Sequence, residues 1–398
     1  MTGEAIGGAR RWMILGLALA ATLCTNVFIN GVAFLIPTLH SDHGLDLAHA
    51  GLLSSLPSFG LVATLIAWGY LVDRWGERLV LVAGSALTAL AAFGAAQAAS
   101  AGSLSTTGVF LLLGGMAAAS SNSASGRLVV GWFPAHQRGL AMGIRQTAQP
   151  LGVGLGALVI PRIAQHHGIG SALLFPAIVC AAAAVACVVG VSDPPRPPRA
   201  AAPAEHLANP YRGSAMLWRI HALSVLLVVP QAMVWTFMLV WLMAERGWSA
   251  GAAGAVVTVS QLLGAAGRIG AGRWSDHVGS RLRPIRTIAV AAAVAMLALA
   301  LTSWANWPIS VVIIVLASAI TVSDNGLAFT AIAEIAGPFW SGRALGTQNT
   351  SQHFAAGVVP PLFGTLIGVA GYPLAFAVCA LFPLAAFPLV PAGPDPAD

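Results

Sequence analysis

The chain reads as an all-α membrane protein of twelve transmembrane helices, arranged as two pseudo-symmetric six-helix bundles. Three observations predict this. Of its 398 residues, 57% are apolar and only 8% charged, with a mean hydropathy of +0.81. A soluble domain carries about 25% charged residues, so this chain has too few to cover a water-facing surface. The apolar residues fall into twelve long runs separated by short polar turns. The two halves of the chain also repeat each other at a constant spacing of 203 residues.

Crossing about 30 Å of hydrocarbon takes roughly 20 apolar residues. The runs that qualify are 12–38, 47–72, 79–99, 107–132, 139–163, 170–191, 217–243, 249–274, 286–305, 308–334, 342–368 and 371–391. The first follows Arg10 and Arg11 and continues past Leu35. A signal peptide's apolar core ends after about 7–15 residues, so this run is expected to be a retained span. None of the runs shows the alternation of a membrane β-strand.

The nineteen basic residues are all arginine, and the net charge is +6. With the N-terminus inside, fourteen arginines fall on the cytoplasmic side and only Arg162 and Arg246 on the other, while Arg127, Arg145 and Arg268 lie within spans. This bias predicts a multi-pass protein of the cytoplasmic (inner) membrane with both termini cytoplasmic. Spread over short loops, the charge makes no nucleic-acid footprint. Residues 192–216 contain six prolines and no continuous helix is expected there. They read as a cytoplasmic linker between an N-terminal bundle, 1–191, and a C-terminal bundle, 217–398. Cys24, Cys180, Cys187 and Cys379 sit in apolar runs without a CxxC pair, so neither a disulfide framework nor a structural metal is expected. The cluster His40, Asp42, His43, Asp46 and His49 reads as a solvated external loop. No cofactor motif is present.

The repeat is carried by polar residues. Gly69, Asp73, Gly76 and Arg78 match Gly272, Asp276, Gly279 and Arg281, and Gly139, Ala141 and Gly143 match Gly342, Ala344 and Gly346. Asn122 pairs with Asn325, and Gln149 with Gln352. Parallel repeats of this kind are a transporter architecture.

The segment from Gly69 through Asp73, Arg74 and Gly76 to Arg78 resembles the loop 2–3 signature of the major facilitator superfamily, and Gly272–Arg281 resembles its degenerate second copy. The resemblance spans the whole chain in topology. It implies an alternating-access carrier for small solutes, functional as a monomer among membrane lipids, with spans one, four, seven and ten lining the cavity. Phe110 stands where the family's span-four motif often carries an arginine. The run Gln149-Pro150-Leu-Gly152-Val-Gly154-Leu-Gly156 is a partial match to the span-five signature of drug/proton antiporters. On this fold Asp73 would face the start of span eleven near Ser341 and Gly342, and Asp276 the start of span five near Gly139. A carboxylate is attracted to the unpaired N–H groups and positive dipole end of a helix start. Gly69, Asp73, Arg74, Gly76, Arg78, Gly272, Asp276, Gly279 and Arg281 are therefore expected to form a gate whose contacts break when the cytoplasmic side opens. Arg74, Arg78 and Arg281 are expected to reach anionic headgroups as well.

Polar groups in mid-span are functional candidates, because charge there costs about 2.5–3.5 kcal/mol. Asn26, Asn30, Asn122, Gln231, Trp235 and Asn325 fall on the four expected cavity-lining spans, and Gln149 and Gln352 on spans five and eleven. Arg127 and Arg145 lie at a similar depth, where two guanidiniums would hold a carboxylate bidentately or equally anchor the cytoplasmic ends of their helices. Arg268 sits nearer the motif loop, and Glu334 in the gate region. Asp324 is a lone mid-span carboxylate whose partner in the repeat is Ser121, and it is expected to couple transport to protons. These residues point to secondary active transport of a small organic anion such as a carboxylate, proton-coupled. The alternative is a proton-coupled efflux antiporter for hydrophobic or cationic compounds, which would use Trp235, Trp241 and Asp324. Without HExxH, GxSxG or a P-loop, the sequence predicts neither an enzyme nor an ATP-driven pump.

Overall fold

The computed structural model describes residues 7–35, 38–39, 47–195, 207–213 and 215–391, and within them the chain is built from helices. The main ones in the first half are α1 (Gly8–Gly31), α2 (Leu47–Trp75), α3 (Glu77–Ser100), α4 (Leu104–Ala118), α5 (Ser120–Trp132), α6 (Ala135–Arg145) and α7 (Ala148–Gly190). The second half has α8 (Met216–Ala244), α9 (Ala250–Val278), α10 (Leu282–Trp304), α11 (Ser310–Ile320), α12 (Asn325–Ala336) and α13 (Ser341–Ala386). Ten helical stretches among the described residues are long and apolar enough to cross a membrane. Linker residues 196–206 and the loop residues His40, Asp42, His43 and Asp46 lie outside the described residues.

Runs 107–132 and 308–334, expected as continuous helices, are each broken near mid-span. The first breaks at Ala119 between α4 and α5, and the second in the turn 321–324 between α11 and α12. These positions correspond in the repeat. At both, the backbone tightens to i→i−3 bonds, from Asn122 to Ala119 (3.3 Å) and from Ser323 to Ile320 (3.1 Å). Hydroxyls bond back onto the preceding turn, Ser121 onto Ala118 (3.0 Å) and Thr321 onto Ala317 (2.8 Å). Such bonds compete with the helix ladder and bend it. In α7 and α13 the reverse holds. Each runs through two expected spans, interrupted only at Gly168 (φ 79°) and Gly371 (φ 77°).

The chain divides into two compact units. Unit 1 comprises Met1–Phe133, Thr147–Leu207 and Gly337–Thr350, and unit 2 comprises Pro134–Gln146, Ala208–Ala336 and Ser351–Asp398. Each therefore contains a short piece from the other sequence half. Unit 1 is packed around Phe28, Leu61, Leu65, Leu111 and Ile160 at one end, and around Ile14, Val72, Val80 and Leu128 at the other. Unit 2 is packed around Met233, Trp241, Met296, Leu299, Phe363 and Phe376. Large apolar side chains also face outward, among them Leu90 at 66% exposure, Leu301 at 67% and Val369 at 84%. Water would penalise that surface, whereas hydrocarbon accommodates it.

Candidate functional site

In unit 1 the motif glycines make room for the contact. A Cβ on Gly69 would overlap the carbonyl oxygen of Gly342, and one on Gly342 would overlap that of Gly69. This close approach brings the start of α13 onto the carboxylate of Asp73. Its Oδ1 accepts the Gly342 N–H (2.8 Å), and its Oδ2 accepts the N–H and the Nε–H of Arg343 (3.0 and 2.9 Å). Arg127 reaches the same carboxylate through Nη1 (2.7 Å), lies 3.0 Å from Glu77 through Nε, and donates through Nη2 to the Pro338 carbonyl at 3.0 Å. Asp73, Glu77 and Arg127 are all buried, and the Arg343 guanidinium stacks on Trp340 at 3.5 Å.

Unit 2 repeats the arrangement. Asp276 accepts the N–H groups of Gly139 (2.9 Å) and Leu140 (2.8 Å), where α6 begins. Arg281 Nη1 binds Asp276 at 2.6 Å, and its Nε lies 3.3 Å from Glu334. Arg281 also donates to the Ala135 carbonyl, and Arg138 joins Glu334 at 3.2 Å. Burial alone would lower the Arg281 pKa, but the charges of Glu334 and Asp276 outweigh it and raise the value. Each network thus pairs two carboxylates with two arginines. The carboxylates on the helix starts correspond in the repeat, while the arginines do not. Arg127 corresponds to Thr330, and Arg343 to Leu140.

The other motif residues serve the turn. Gly76 (φ 98°) and Gly279 (φ 64°) take left-handed backbone after α2 and α9, which a side chain would strain. Arg78 donates its backbone N–H to Asp193 (2.7 Å) and its Nη2 to the Val188 carbonyl (2.6 Å). Arg74 is exposed beside Tyr70, whereas Arg281, expected at the headgroups, is buried in the ion-pair network.

The mid-span candidates separate into two groups. In unit 1, Asn26 bonds back to the Thr22 carbonyl (2.8 Å) and Asn30 to that of Asn26 (3.2 Å). Thr25 meets Ser121 at 2.8 Å, and Asn122 and Gln149 are half-buried. Arg127, expected to meet a substrate carboxylate, instead meets the carboxylates of Asp73 and Glu77, because its long side chain reaches the motif end of α2. In unit 2, Asn325 joins Gln231 (2.9 Å) to Gln352 (3.1 Å). Arg145 is buried, with Nη1 on the Gln146 side chain (2.9 Å) and its guanidinium 5.7 Å from the Phe329 ring centre. Arg268 donates to the Gln146 carbonyl at 2.6 Å and lies 5.8 Å from the Trp235 ring centre. Asp324 is buried in the turn before α12 and interacts electrostatically with Arg268. Glu77 and Arg343 are site residues that the sequence signals only by position, each directly following a motif glycine, Gly76 and Gly342.

A sequence profile of the Major Facilitator Superfamily matches residues 16–360 and, in a second register, 222–397. The chain belongs to the Major Facilitator Superfamily. Over 391 residues it is 58% identical to an MFS-type transporter of Mycobacterium tuberculosis (strain H37Rv), covering 98% of this chain and 87% of that one. It is 27% identical over 422 residues to the gallate transporter of Pseudomonas putida, covering 96% and 90% of the two chains. Its fold resembles the human organic anion transporter MFSD10, with a TM-score of 0.75 at 16% identity over 96% of this chain and 99% of the other. As a member of this superfamily the protein is a multi-pass membrane transporter of small solutes, and not an enzyme.

Proposed function

We propose that this superfamily member carries a small organic anion, such as a carboxylate, by proton-coupled alternating access in the cytoplasmic membrane. The observation that carries the reading is the set of buried charges inside unit 2, where the guanidinium of Arg268 interacts with a second guanidinium, Arg145, and with one buried acid, Asp324. An anion is the ligand such a cluster attracts, and an intramembrane carboxylate is the group that carries a proton. The names of the similar gallate transporter and of the similar probable anion transporters of rice and Arabidopsis agree with it. Trp241, one support for the efflux alternative, packs against Phe376 and bonds Ser303 (3.3 Å), so it serves the core of unit 2.

The same reading takes the chain as twelve spans in two six-span halves, with residues 192–216 as linker. Unbroken, the 43 residues of α7 and the 46 of α13 would run about 65–70 Å at 1.5 Å per residue, twice the hydrocarbon thickness. The breaks at Gly168 and Gly371 make each a pair of spans. Asp73 and Asp276 then hold the cytoplasmic gate shut, and opening that side requires the helix starts of α13 and α6 to leave them. Within unit 1 Asn26, Asn30, Asn122 and Gln149, and within unit 2 Gln231, Trp235, Asn325 and Gln352, are the polar groups offered to the solute, and Asp324 carries the proton.

The test is uptake by proteoliposomes across a panel of labelled carboxylates, gallate included, with and without a pH gradient. Saturable uptake of a carboxylate that the gradient accelerates is the expected result. Proton-driven movement of lipophilic cations with no carboxylate uptake would replace this reading with the efflux one.

A further inference from the structure

Two buried charged groups in unit 2 carry hydrogen-bonding atoms without a partner among the described residues. Arg268, on α9, is 2% exposed, and its Nε–H has no hydrogen-bond partner among the described residues. Asp324 is also 2% exposed, and its Oδ2 likewise has none. A buried charge with unfilled hydrogen bonds is costly. Helix packing does not require these charges, because the repeat holds its own control. At the corresponding positions unit 1 has Leu65 and Ser121, both buried and uncharged. Arg145 corresponds to Gln348, and Trp235 to Val32. The charges are therefore additions to a scaffold that packs without them.

The geometry of Arg268 defines what it can hold. Its Nη1 is pinned to the Gln146 carbonyl at 2.6 Å, which anchors one end of the guanidinium. The opposite edge, formed by Nε and Nη2, is the fork that matches a carboxylate. Trp235, half-buried, lies beside the same guanidinium with its ring centre 5.8 Å from Cζ. Within the cluster, Arg145 and Arg268 repel each other and Asp324 attracts Arg268. With Asp324 in its ionised form, two positive charges and one negative leave room for one further negative charge.

We propose that Arg268 binds the substrate's carboxylate on its Nε edge, that Trp235 lies against an aromatic body, and that Asp324 restricts the substrate to monoanions by repelling a second carboxylate. This rests on the organic-anion reading above and names its substrate class as aromatic monocarboxylates.

The test measures binding to the detergent-purified full-length protein by titration calorimetry, with benzoate as monoanion and terephthalate as dianion, and size-exclusion chromatography as the check on folding. Arg268→Gln should weaken benzoate binding at least tenfold. Arg268→Lys should recover little, because an ammonium lacks the paired donors. Asp324→Asn should raise terephthalate affinity relative to benzoate at least tenfold, a change in preference that a purely structural role would not produce. Benzoate binding within twofold of wild type in Arg268→Gln overturns the site while leaving the organic-anion reading standing. Wild-type protein that binds neither carboxylate but binds tetraphenylphosphonium overturns both. If Arg268→Gln fails to fold, an unchanged preference in Asp324→Asn overturns the proposal by itself.

Discussion

Asp73 shows how much one motif residue carries. Its carboxylate accepts two backbone N–H groups and faces two guanidiniums, those of Arg127 and Arg343. Asparagine keeps an oxygen for the helix start but removes the charge, and breaking a buried ion pair in this way costs about 3–5 kcal/mol. Asp73→Asn is therefore expected to lower the thermal stability of the purified protein and to cut turnover at matched membrane abundance by tenfold or more. Wild-type turnover in that variant would remove Asp73 from the transport cycle. Arg127 and Arg268 should separate cleanly in kinetics. Arg127→Gln disturbs protein carboxylates, so turnover falls while the half-saturation concentration stays within about twofold, whereas Arg268→Gln raises the half-saturation concentration. At this scale the sequence exposed Asp73 and Asp276, because Gly-x-x-x-Asp recurs at the repeat spacing. It does not expose Arg127 as a partner of Asp73, because Arg127 arrives sideways from α5, far away in sequence, and a positive charge in a span reads equally as ligand or as brace.

Among the elements, the breaks matter most. Gly168 (φ 79°, ψ 170°) and Gly371 (φ 77°, ψ 170°) occupy backbone that is nearly exclusive to glycine. Alanine at either position should destabilise the protein by about 1–3 kcal/mol, read as a lower midpoint in thermal unfolding. Gly154 provides the comparison. It lies inside α7 with open space around its Cα, so Gly154→Ala should be neutral or gain up to about 1 kcal/mol. A loss at Gly154 equal to that at Gly168 would show that backbone conformation is not the cause. The mid-span breaks before α5 and α12 were hidden by hydropathy, which sees Ser120–Ser125 and Thr321–Asn325 only as mildly polar interruptions. Their hydroxyls act on the helix ladder, a local chemistry that an averaged apolar signal does not record.

For the whole molecule, the arginine distribution predicts that residues 192–216 face the cytoplasm. A single cysteine placed at Pro198 in a background lacking the four native thiols should stay unlabelled by an impermeant maleimide in intact cells and react once the membrane is opened. Labelling in intact cells would reverse the topology and move the gate to the opposite side.

Membrane insertion and its repeated, all-helical character follow from the sequence alone, because composition and the length of apolar runs are set by the hydrocarbon solvent and need no partner residue to be read. The repeat spacing likewise located both helix-start carboxylates. Only the tertiary structure decided what the intramembrane arginines do. A guanidinium on a long side chain reaches whichever carboxylate packing brings near. That selected Asp73 and Glu77 for Arg127, and left the Nε–H of Arg268 without a partner among the described residues.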